Sequence, residues 1–132
     1  MIAYWKLNDA TTSQSVNIFT HLHIALTALT TGVICLALAF WRLSGPRRVP
    51  MGVVIALISS GAVYLWRASA NVGPLNQDGI SGFSANDWLA PVIVFVALSV
   101  LADLVPPVNR ERYLQVRGLA TISALAVNVI TI

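Results

Sequence analysis

Four stretches of the chain are almost free of charge, and short polar or basic segments separate them. The first, Val16 to Trp41 (VNIFTHLHIALTALTTGVICLALAFW), runs for 26 residues without a formally charged side chain. At about 1.5 Å per residue it reaches roughly 39 Å as a helix, more than the ~30 Å hydrocarbon slab of a bilayer. A helix at the surface of a water-soluble core needs a strongly polar face, and this run offers only Asn17, some threonines and two histidines. It reads as a membrane-spanning helix.

The second stretch, Met51 to Trp66, follows a turn at Gly45–Pro46, with Pro50 suited to its first turn. Its 16 residues make only ~24 Å of helix. The third, Trp88 to Val105, is preceded by Ser84-x-x-Asp87, a capping-box pattern, and is stopped by Pro106–Pro107. The fourth, Leu119 to Ile132, crosses a bilayer only if its helix starts upstream, near Tyr113 or Val116. The expected elements are helices at about 16–41, 50–66, 87–105 and 115–132, in one membrane domain over residues 1–132. An outer loop at 67–86 and inner loops at 42–49 and 106–114 connect them. With Gly73, Pro74, Gly79 and Gly82 among Ser, Asn and Asp, the 67–87 stretch is expected to be an irregular polar loop. Ahead of the first helix, Trp5 suits the headgroup level, and Ser13 or Ser15 could cap the helix.

Composition sharpens the class. Hydrophobic residues are 57% of the chain and charged residues 10%, against about 25% charged in soluble domains. The mean hydropathy is +0.77. The expected fold class is therefore all-α and integral to a membrane, with four transmembrane helices in an up-down bundle.

Charge adds orientation. Six of the eight basic residues (Arg42, Arg47, Arg48, Arg110, Arg112 and Arg117) fall within 42–50 and 105–118, at the two connections expected inside, and only Lys6 and Arg67 fall in the other segments. The positive-inside rule then places both termini and the 67–86 loop on the outer side. The same distribution accounts for the net charge of +3 without a nucleic-acid partner, because the arginines do not form one patch. The expected location is a bacterial or viral-encoded inner (cytoplasmic) membrane. The first stretch does not read as a cleavable signal peptide, being about twice as long as a signal core. The lone Cys35 has no partner thiol and carries no redox information.

Candidate chemistry is sparse. On the first helix Thr20, His23, Thr27, Thr30 and Thr31 fall within about a third of the circumference, a polar stripe that should face protein rather than lipid. His23 is the candidate haem ligand or proton carrier, and His21, about 200° away, a weaker one. A haem site would need a second ligand from another chain, so no cofactor is expected, and no metal set is visible. In its plainer role His23 would hydrogen-bond to a neighbouring helix, and His23→Leu would then leave groups unpaired. Gly52, Ala56 and Ser60, with Ala120, Ala124 and Asn128, form small-residue stripes at spacings of four, suited to close helix packing inside the bundle or against another protein. Asp103, the one acid inside an apolar run, is expected to pair with Arg42 or Arg110 at the inner interface, where Arg47 and Arg48 meet lipid headgroups.

No phosphate-binding glycine loop, nucleophile triad or carboxylate pair is present. The expected role is non-enzymatic: a structural or accessory subunit of a larger membrane complex, in contact with the lipid bilayer and with other membrane subunits or its own copies. A phage holin-type pore-forming oligomer is the alternative, and a redox subunit with haem or quinone near His23 the second.

Overall fold

The computed structural model describes residues 19–80 and 83–131. The expectations for Trp5, Ser13 and Ser15 lie outside them. Among the described residues, four helices are long and apolar enough to cross a membrane: α1 (His21–Arg42), α2 (Arg48–Ser69), α3 (Ala85–Leu104) and α4 (Arg110–Ile130). With 20 to 22 residues each, they measure about 30–33 Å, which matches the hydrocarbon thickness. This is an integral membrane protein.

Each helix boundary has a local cause. Thr20 is extended, and its hydroxyl accepts the His23 N–H at 3.2 Å, so α1 starts at His21 rather than near residue 16. Asn109 caps α4 in the same way, accepting the Arg112 N–H at 2.9 Å. That start, upstream of the expected 115, makes the last helix long enough to span. The α1–α2 turn depends on Gly45, whose φ of 87° lies in the left-handed region that other residues enter at a cost. The Ser84 cap of α3 forms as the sequence pattern implies. Asp87 Oδ2 accepts both the Ser84 N–H (2.8 Å) and the Ser84 hydroxyl (2.7 Å).

The 67–87 stretch departs most from expectation. Nothing between Arg67 and Val72 breaks a helix, so α2 continues through Ser69 and ends in a cap at Ala70. A short 3₁₀ turn (Gly73–Leu75) follows, then a small antiparallel hairpin of β1 (Asp78–Ile80) and β2 (Phe83–Ser84). The connection is organised rather than irregular.

The helices pack in a ring, α1 against α2 and α4, α3 against α2 and α4. One apolar cluster fills the interior, built from Ala28, Cys35 and Ala39 of α1, Ile55 and Val63 of α2, Val94 and Leu98 of α3, and Val116, Ala120 and Ala124 of α4. Leucines, valines and isoleucines on all four helices face outward, where lipid solvates them. The hairpin and the C-terminal end of α4 share one end of the bundle. The Gly45 turn and Pro106–Pro107 form the other, the arginine-rich end.

Candidate functional site

The densest polar constellation lies at the hairpin end, inside the bundle. It begins with Arg67, in the last turn of α2 and only 1% exposed. A guanidinium buried at that depth requires acceptors, and Nη1 donates to Asn128 Oδ1 of α4 at 2.6 Å. Asn128 is held in turn by its own helix, its Nδ2 donating to the Ala124 carbonyl at 2.6 Å. The Arg67 guanidinium also lies 5.1 Å from the centre of the Phe19 ring. Asp87, likewise 1% exposed, stands at the same end in the first turn of α3.

Asparagines extend this core. Asn71 and the Phe19 backbone form a two-way clasp, Asn71 Oδ1 accepting the Phe19 N–H at 3.0 Å and Nδ2 donating to the Phe19 carbonyl at 2.8 Å. Asn76 Nδ2 closes the end of α2 through the Ala70 and Val72 carbonyls, and its Oδ1 accepts from Asn86 Nδ2 at 2.8 Å. The ends of α2, α3 and α4 and the approach to α1 are thus fastened by amides around one arginine. Some capacity is left over: Arg67 Nε, Asp87 Oδ1 and Asn86 Oδ1 are buried without a hydrogen-bond partner among the described residues.

The stripe residues of α1 divide between this core and the surface. The buried arc of α1 is centred near Ile24, Ala28 and Cys35, so the stripe lies at its edge. Thr27 and Thr31 are buried, while Thr30 is exposed and donates to the Leu26 carbonyl of its own helix at 2.9 Å. The Thr27 hydroxyl lies 3.1 Å from both the His23 carbonyl and Thr131 Oγ1, which joins α1 to the end of α4. Thr20 serves as the cap. The His23 ring stacks on Phe19 with centroids 5.2 Å apart, and its Nε2 is enclosed by protein without a partner. The expected interhelical bond from His23 is therefore absent among the described residues. His21 is exposed, its Nδ1 at 3.4 Å from the Tyr64 hydroxyl.

The small-residue stripes are used inside the chain. A Cβ on Gly32 of α1 would approach Ser60 Cβ to 3.0 Å and the Ala56 carbonyl oxygen to 3.3 Å, so α1 and α2 touch backbone to backbone there. Gly52 is packed under the Phe40 ring. Ala120, Ala124 and Asn128 are fully buried. The outward small-residue face of α2 lies one position over. Gly61 and Ala62, with Ala97 of α3, line a shallow apolar groove of ≈ 640 Å³. A Cβ on Gly61 would meet nothing within 4 Å, and the buried Trp66 indole N–H beside the groove has no acceptor among the described residues.

At the arginine-rich end, Arg47, Arg48, Asp103 and Arg110 are exposed. Asp103 forms no ion pair with Arg42 or Arg110 among the described residues. Arg42 lies elsewhere, stacked 4.1 Å from the Trp41 ring and accepting from Arg112 through its carbonyl at 3.4 Å. Asp103 and Arg110 instead share a cleft of ≈ 400 Å³ between α3 and α4 with Arg117.

Sequence reasoning missed Arg67, assigning it to a loop, and with it Asn71, Asn86 and Asp87 as a cluster. The available signal was the absence of any helix breaker after Arg67, which keeps the arginine within a membrane helix. No protein-family model matches the chain, and no characterised protein or solved structure aligns with it.

Proposed function

We propose that this protein is a non-enzymatic accessory subunit of a membrane complex, a preassembled bundle that receives a transmembrane helix of a different protein along the α2–α3 groove. The open face at Gly61 carries this reading. Gly61, Ala62 and Ala97 would let a foreign helix approach closely. The small-residue stripes of the interior are packed within the chain, which leaves association to the outward faces. Those faces are apolar on all four helices, whereas a pore former needs polar side chains to line its lumen, and this favours the subunit reading over the holin-type one. The enclosed Nε2 of His23 is unsuited to ligate a haem iron, which disfavours the redox reading. The proposed orientation puts the hairpin end outside. With Arg67 inside α2, the described residues of the hairpin end expose no basic side chain.

Gly61→Leu tests this reading cleanly, since the added side chain enters open space and leucine favours the helix. In a mild-detergent extract of native membranes, the wild type should migrate on native gels above its own mass, with a second protein present, and Gly61→Leu should migrate alone. A wild type that migrates as a monomer, or as copies of itself only, would contradict it.

A further inference from the structure

The cleft between α3 and α4 holds an arrangement of charge that the bundle does not use. Arg117 faces it from seven residues beyond Arg110, about 10 Å further along α4 and so deeper than the helix start. Its guanidinium is held in place, Nη1 donating to Ser99 Oγ at 2.9 Å and the planar group lying 4.3 Å from the Phe95 ring centre. Of the five N–H donors of an arginine, that is the one bonded to protein among the described residues. A cation at membrane depth requires an anion or a route to water. The one carboxylate lining the cleft, Asp103, stands four residues beyond Ser99, about 6 Å nearer the end of α3, and makes no ion pair with either arginine among the described residues. The cleft thus reads cation in its depth, with an anion and a second cation, Arg110, at its mouth.

That order matches one kind of lipid headgroup. In a phospholipid lying in its leaflet, the phosphate sits next to the glycerol and the terminal group of the headgroup lies further out. The geometry points to a binding site for a phospholipid with a primary ammonium headgroup, phosphatidylethanolamine in type. Arg117 receives the phosphate, and the Asp103 carboxylate nearer the mouth receives the ammonium N–H groups. Leu114 and Ala102, also lining the cleft, offer apolar surface to the glycerol and upper acyl chains. A phosphatidylglycerol headgroup would bring the phosphate but leave Asp103 unmatched. A choline headgroup presents no N–H to donate.

Native mass spectrometry of the detergent-solubilised protein, titrated separately with phosphatidylethanolamine, phosphatidylglycerol and phosphatidylcholine, tests the site. The wild type should retain phosphatidylethanolamine most tightly. Arg117→Gln should weaken that binding by roughly tenfold, the loss of about one charge-assisted contact. Asp103→Asn, at an exposed side chain whose loss leaves the packing intact, should keep phospholipid binding but abolish the preference for ethanolamine over glycerol headgroups. Equal retention of all three lipids by the wild type would overturn the proposal, as would an Asp103→Asn variant with unchanged preference. Displacement of the lipid by inorganic phosphate would assign the site to a free anion instead, and equally overturn it.

Discussion

Arg67→Met removes the guanidinium and keeps most of the side-chain volume, so its effect reports on the charge. Three losses are expected. The 2.6 Å bond to Asn128 is one, and hydrogen bonds between membrane helices average about 0.6 kcal/mol with a maximum of about 1.7. The contact with Phe19 is the second, worth about 0.5–2 kcal/mol. The third acts through space: Asp87, 1% exposed, loses a nearby cation with which it forms no ion pair among the described residues. Arg67→Met should therefore destabilise the bundle by about 2–3 kcal/mol, chiefly the two lost contacts, with a smaller share from the carboxylate. Adding Asp87→Asn removes that charge while the amide oxygen can still accept the Ser84 N–H. The double variant should then recover stability relative to Arg67→Met, leaving a deficit of about 1–2 kcal/mol. Reversible unfolding in mixed micelles, followed by tryptophan fluorescence, measures both values. An Arg67→Met shift below about 1 kcal/mol, or a double variant no better than the single one, would refute this reasoning.

Two further outcomes follow from the packing of α1. Gly32→Val should destabilise by about 1–3 kcal/mol in the same unfolding assay, because its new Cβ must displace Ser60 or the α2 backbone, whereas Gly61→Val should be nearly silent. His23→Leu should change stability by less than about 1 kcal/mol, since the enclosed Nε2 has no partner to strand, and a loss above about 2 kcal/mol would reveal a hydrogen bond to that ring.

The helical architecture was legible because each apolar run is a continuous, uncharged stretch close to bilayer length, and local chemistry marks its ends. Ser84 with Asp87 announced the start of α3, and Gly45 announced the turn before α2. Boundaries slipped where charge was taken as the edge of a helix. Arg67 continues α2 because its neighbours are helix-compatible and Asn128 answers its charge, a long-range fact that no local pattern carries. Arg110 and Arg112 likewise belong to α4, where Asn109 supplies the cap. The polar stripe of α1 was visible as a period, yet its division into buried Thr27 and Thr31 and exposed Thr30 depends on where α2 and α4 pack. The small-residue stripes were equally visible, but whether they face inward or outward is a property of the assembled ring. Here Gly52 and Ala56 turn inward and Gly61 outward.

The four-span fold puts the hairpin and the Gly45 turn on opposite sides of a membrane, and the proposed orientation puts the hairpin outside. In a Cys35→Ala background, single cysteines at Gln77 and Ser44, both at exposed positions, can be probed in intact cells with a membrane-impermeant maleimide. Gln77→Cys should be labelled without permeabilisation, and Ser44→Cys only after it. Labelling of both positions from the same side would contradict the four-span bundle, and the reverse order would contradict its orientation.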